Sequence, residues 1–180
     1  MTAPLEPVGF VSAVRAHPED DFWGGEESCI TLAGRFAAEA LAGIAEFSHV
    51  EILFLFHQVE PAKIVTGARH PRNNPHWLAV GIFAQRGKNR PNCIGSTICR
   101  VLRVEETRLY VAELDAIDGT PVIDIKPVMA EFLPRGGSTA TRLVARAHAG
   151  VLVPERLTGH LTGIGLLWQW PGWHWGSWRS

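Results

Sequence analysis

Short runs of apolar residues, broken by polar turns, follow one another along most of this chain and predict strands. Residues 6–14 (EPVGFVSAV) and 28–32 (SCITL) are brief apolar stretches containing β-branched residues. Residues 48–57 (SHVEILFLFH) read as a strand buried on both faces. Three more runs follow at 77–84 (WLAVGIFA), 94–104 (IGSTICRVLRV) and 107–114 (TRLYVAEL), the last two set apart by Glu105-Glu106 at hairpin spacing. A final run, 121–126 (PVIDIK), follows the turn signal Asp118-Gly119. Before residue 138 one segment has helical period: around 35–46 (RFAAEALAGIAE), Phe36, Ala40, Ile44 and Phe47 recur on one face. Many short strands between turns predict a mainly β chain, a barrel or sandwich with one or two short flanking helices, rather than a parallel α/β sheet.

The chain changes character after residue 135. A β domain is expected over 1–135 and a C-terminal extension over 136–180. In the extension, Ser138 or Thr139 would cap a short helix over 140–149. The tail WQWPGWHWGSW then places tryptophans at period two on both sides of a Pro-Gly turn. Those indoles either cover a core or a dimer interface or form stacking platforms for bases.

Composition sets the class. The chain has 180 residues, 46% hydrophobic and 19% charged, which suffices for a packed core. No run approaches the roughly 20 apolar residues of a membrane span, and MTAPLEPVGF lacks the basic start and apolar centre of a signal peptide. A soluble, cytoplasmic protein is expected. Cys29, Cys93 and Cys99 are odd in number and lack metal-ligand spacing. His57, His70, His76, His148, His160 and His174 show no His-x-x-x-His pairing, so no metal is expected.

The net charge of −1 hides a segregation. Residues 1–60 carry ten acidic and two basic residues, a balance of −8; residues 61–110 carry nine basic and two acidic, a balance of +7. Such a block either receives an anionic ligand or neutralises the acidic block within the fold or across a dimer.

Two stretches carry candidate chemistry. Arg86-Gly87-Lys88-Asn89-Arg90-Pro91-Asn92 is a basic loop between strands, in which arginine offers a fork for carboxylate or phosphate and asparagine can pair with an adenine edge. Gly95 permits close approach by a backbone or a ligand. In Asp115-Ala116-Ile117-Asp118-Gly119-Thr120-Pro121, a turn with two aspartates leads into a strand bearing Asp124 and Lys126. Such carboxylates either receive ribose hydroxyls and ammonium groups or decorate an exposed turn.

GIFAQRGKNRPNCIG followed by LDAIDGTPVIDIKP resembles the two signature stretches of the TsaA-like (YaeB-like) family. FSHVEILFLFHQ (47–58) resembles the family's buried strand ending in Phe-His, and LEPVGF (5–10) its opening strand, so the resemblance covers roughly residues 5–134. Cys93 stands where the family usually has proline, and Val128 where tyrosine is common. The loop HPEDDFWGGEES (17–28) lacks the usual Pro-(Arg)-Gln stretch, with Trp23, Gly24 and Gly25 in its place.

The resemblance implies a non-Rossmann barrel, commonly homodimeric, that binds S-adenosylmethionine. It implies methylation of N6 of the threonylcarbamoylated adenosine beside the tRNA anticodon, with neither DNA nor membrane as partner. Carried over by motif, the cofactor site would comprise His57, Gln58, Arg86, Arg90, Asn92, Ile94, Gly95, Leu114, Asp115, Asp118, Gly119, Thr120, Asp124 and Lys126. Arg69, Arg72 and Lys88 would face tRNA phosphate or, for the two arginines, the cofactor carboxylate. Asp118 and Asp124 are also candidate proton acceptors. Two alternatives stay open: a non-catalytic barrel binding S-adenosylmethionine or another adenosine ligand as sensor or partner protein, and a methyltransferase acting on a small molecule.

Overall fold

The computed structural model describes residues 5–13, 15–17, 23–137 and 139. The helix expected at 140–149 and the tryptophan-rich tail lie outside the described residues. The strands are β1 (Gly9–Ser12), β2 (Glu27–Leu32), β3 (His49–Leu55), β4 (Ala68–Arg69), β5 (Val80–Gly81), β6 (Ile94–Glu105), β7 (Arg108–Ala112) and β8 (Pro121–Pro127). β1, β2, β7, β6, β3 and β8 close in that order into an all-antiparallel barrel, while β4 and β5 form a separate two-stranded ribbon. The expected barrel architecture is the observed one.

Alternation along β3 builds the centre of the barrel. Val50, Ile52 and Phe54 point inward and are buried, joined there by Ile30, Leu109 and Val111 from neighbouring strands. Glu51, Leu53 and Leu55 point outward and are only half-buried, so the expectation of a strand buried on both faces holds for one face alone. Cys99 also lies in this core, where burial, reinforced by the charges of Glu113 and Asp115, pushes its thiol up to about 12. β6 is long enough to serve two neighbours: its first half pairs with β3 and its second with β7. A register shift between Val101 and Arg103 bends it around the barrel.

Two expected elements take other forms. The 35–46 segment makes two separate 3-10 turns, Ala38–Leu41 and Ile44–Glu46, parted at Gly43, whose φ is 81°. Its anchor is Leu41, 4% exposed, whereas Ala40 of the expected apolar face is open to solvent. So short an alanine-rich segment has little helical stability without a deep apolar stripe, and the left-handed glycine keeps the two turns from joining. The strand expected at 77–84 is extended only at Val80–Gly81; Ile82–Ala84 turns in 3-10 form.

Candidate functional site

An antiparallel barrel brings the ends of β1, β3 and β7 and the starts of β2, β6 and β8 to one rim. Both signature stretches meet there. His57 and Gln58 follow β3, Ile94 and Gly95 open β6, and Leu114–Thr120 links β7 to β8.

The 114–120 link is sunk into the rim: Leu114, Ala116, Ile117 and Thr120 are buried, leaving Asp118 and Gly119 exposed at the turn. Gly119 takes φ 73°, where L side chains are strained. Its N–H donates to the Val11 carbonyl (2.8 Å), and the Asp118 N–H donates to the Arg15 carbonyl (2.7 Å). The Asp118 carboxylate accepts the Ala13 N–H at 3.2 Å, so one of its oxygens ties the end of β1 to the link. On the β2 side, Arg15 grips Glu26 through Nε (3.0 Å) and Nη2 (2.9 Å), and its guanidinium lies 4.7 Å from the centre of the buried Trp23 ring. Only 10% of the Arg15 side chain is exposed. This clamp occupies the stretch that departs from the family pattern.

The first signature is held by one buried amide. The Gln85 side chain, 9% exposed, donates to the carbonyls of Arg69 (3.1 Å) and Val80 (2.8 Å), locking the β4–β5 ribbon. Arg90 donates from Nη1 to the backbone carbonyl of Gln85 at 3.1 Å. Arg86 reaches forward to the Ser96 carbonyl on β6. Pro91–Cys93 is a 3-10 turn in which Asn92 (φ 65°) and Cys93 (φ 50°) are left-handed; it delivers the chain into β6, and the Cys93 carbonyl accepts the Phe56 N–H at 2.8 Å. At Gly95 a Cβ would stand 2.5 Å from the Phe54 ring, so this glycine makes room for the core phenylalanine.

The structure thus brings together His57, Gln58, Arg86, Arg90, Asn92, Ile94, Gly95, Leu114, Asp115, Asp118, Gly119 and Thr120. Asp124 and Lys126 lie on the outer wall below the rim, opposite Leu53 and Glu51 of β3. There Asp124 accepts the Ile125 N–H (2.9 Å) and pairs with the Lys126 ammonium, which raises the lysine pKa. Glu51 accepts the Ser96 hydroxyl at 2.6 Å on the same wall. Arg69, Arg72 and Lys88 sit in the connection between β3 and β6; Arg69 Nη2 donates to the Asn73 side chain at 2.8 Å. Sequence reasoning missed Gln85, the Arg15–Glu26 clamp and the Ser96–Glu51 bond. Gln85 lay inside the first signature, but nothing in a sequence distinguishes a buried amide from an exposed one.

Among the described residues, the side chains of His57, Gln58 and Asn92 are exposed and form no hydrogen bond to protein. With the two backbone-anchored arginines they provide donors for a carboxylate and for a purine edge. The Asp118 oxygen left over provides an acceptor for hydroxyl or ammonium groups. That set fits S-adenosylmethionine, whose amino-acid end presents a carboxylate for the arginines and an ammonium for an acceptor, and whose nucleoside presents a purine edge and ribose hydroxyls.

Residues 16–132 match the family model described as the tRNA-methyltransferase O N-terminal domain. The chain is similar to a human protein named tRNA (adenine(37)-N6)-methyltransferase, 35% identical over 135 residues covering 71% of this chain and 30% of that protein. An Escherichia coli (strain K12) protein of the same name is 36% identical over 120 residues, 63% of this chain and 51% of that one. The match therefore spans about half or less of these curated relatives. Among solved structures, TrmO from Pseudomonas aeruginosa superimposes with a TM-score of 0.61 at 29% identity, covering 79% of this chain and 63% of that one.

Proposed function

The chain belongs to the tRNA-methyltransferase O N-terminal domain family, and we propose that it is an S-adenosylmethionine-dependent methyltransferase acting on N6 of the threonylcarbamoylated adenosine beside the tRNA anticodon. It works in the cytoplasm as a homodimer, and exposed Phe10 and Ile98 on the outer wall offer apolar surface to a second copy. The observation that carries the reading is the convergence of both signatures on one rim, where unengaged polar side chains stand beside arginines fixed by backbone carbonyls. The names of the matched relatives support the same reading.

When bound, S-adenosylmethionine supplies a methyl group made electrophilic by its sulfonium. The protein's task is orientation. Arg86 and Arg90, held by the Ser96 and Gln85 carbonyls, anchor the amino-acid end, while the buried 114–120 link presents Asp115 and backbone groups to the nucleoside. Holding nucleophile and methyl group in line supplies on the order of 7–11 kcal/mol of the barrier. The amine sheds its proton to solvent during or after attack, and neither Asp118 nor Asp124 is dedicated to receiving it. Asp118 is engaged with β1 and Asp124 with Lys126. Asp118→Ala and Asp124→Ala, made singly, should each leave measurable turnover; complete loss with S-adenosylmethionine binding intact would make that residue the base.

The decisive assay incubates the protein with methyl-labelled S-adenosylmethionine and tRNA carrying threonylcarbamoyl-adenosine. One methyl per tRNA, at N6 of that nucleoside, is expected. S-adenosylmethionine binding without transfer to this tRNA would favour the sensor or small-molecule alternatives.

A further inference from the structure

The connection between β3 and β6 carries an unusual surface. No acidic residue occurs between Glu60 and Glu105, a stretch that includes Arg69, Arg72, Arg86, Lys88 and Arg90. In the middle of it two large apolar side chains stand in solvent: Phe83 is 77% exposed and Leu78 80%. Loops shed such residues readily, yet this loop is built to hold one of them still. Phe83 is the central residue of the Ile82–Ala84 turn. That turn is anchored on one side by buried Ile82. On the other side Gln85 donates its N–H to the Ile82 carbonyl at 3.2 Å. The same Gln85 binds the Arg69 carbonyl and receives Arg90, and Arg86 is the next residue. An exposed phenyl ring is thus carried on a turn that Gln85 ties to the Arg69 carbonyl and to Arg90.

We infer that Phe83 is a stacking platform for an unpaired base of the RNA substrate, while Arg69, Arg72 and Lys88 of the same connection track its phosphates. The inference rests on the tRNA reading above and adds the residue that grips the acceptor loop. Phosphate contacts alone suit any polyanion, whereas an exposed aromatic face set among cations suits a single strand whose bases are splayed out. A duplex hides its base faces and an acidic peptide has none, so the ring selects RNA loops. Leu78, on the residues leading into the same ribbon, extends the apolar surface.

The test compares wild type, Phe83→Ala and Phe83→Trp in three measurements: affinity for a labelled anticodon stem-loop over a salt series, S-adenosylmethionine affinity by calorimetry, and mass by light scattering. Phe83→Ala should weaken RNA binding about 10-fold or more at every salt concentration. The slope against salt should stay unchanged because the phosphate contacts remain. S-adenosylmethionine affinity and mass should also be unchanged, and Phe83→Trp should restore binding. Equal RNA affinity in Phe83→Ala would overturn the platform while leaving the methyltransferase reading to its own assay. A change of mass in Phe83→Ala would overturn it in favour of a subunit interface. If wild type neither binds the stem-loop nor methylates tRNA, the substrate reading falls and the platform falls with it.

Discussion

The barrel wall and the long connection from β3 to β6 are ordered by different physics. In the wall, alternate side chains vanish into a shared apolar centre, and each strand is fixed by its neighbours. The connection contains one two-residue pairing and four 3-10 turns; it is held by side chains that bond to backbone. Gln85 alone makes or receives bonds with Arg69, Val80 and Arg90. The wall is therefore stable for hydrophobic reasons and the connection for polar ones. The polar arrangement leaves arginine forks and an aromatic ring facing solvent, where a ligand can meet them.

The contrast breaks most visibly at Phe54. Phe54→Ala should cost about 3–5 kcal/mol, because the ring fills the barrel beneath Gly95 and its removal leaves a cavity. Urea denaturation followed by far-UV circular dichroism measures it, and a loss under 1 kcal/mol would deny that this ring is central to the core.

A smaller and local effect is expected at Gln85. Gln85→Leu strips two half-buried carbonyls of their donor, a penalty of about 1–3 kcal/mol. Hydrogen exchange should quicken across 57–93 while β3 and β7 keep their protection. Uniform acceleration through the barrel would show that connection and wall are one cooperative unit.

What could be read from the sequence follows the same divide. β3 and β7 were legible because burial imposes a period of two on VEILF and RLYVA, and the Asp118-Gly119 turn because its glycine must take a positive φ. The 77–84 run misled because apolar Leu78 and Phe83 imitate a buried strand while standing in solvent. The 35–46 run misled because a period of about four does not say whether a segment is long and deep enough to sustain a helix. The signatures identified the rim residues, but they could not reveal that Gly95 serves Phe54, that Asp118 ties down β1, or that Gln85 is the hub. Those depend on contacts between segments distant in sequence, which leave no local pattern.

The smallest effect lies on the outer wall. Arg103 binds Glu27 (2.8 Å) and Glu105 (3.0 Å) and lies 3.6 Å from the centre of the Tyr110 ring. Its hydrogen bonds hold the Glu27 and Glu105 carboxyls below their ordinary value of 4.5. Folded pKa values lowered in this way contribute stability above the ordinary carboxylate range and lose it as pH falls through the lowered values. The difference in denaturation midpoint between wild type and Arg103→Ala should therefore be small at pH 7 and shrink further in acid. A difference that grows on acidification would contradict the assignment. Solvent screening keeps the whole effect modest.

The proposed function stands or falls with an S-adenosylmethionine site built by the two signatures on one rim of the barrel. Calorimetric titration of S-adenosylmethionine into wild type, Arg86→Ala and Gln58→Ala, with folding checked by circular dichroism, tests it most directly. One saturable site per chain is expected in wild type, and affinity at least about 10-fold weaker in Arg86→Ala, where a charge-assisted contact is lost. A lesser weakening is predicted in Gln58→Ala. No binding to wild type, or full affinity in both folded variants, would contradict it.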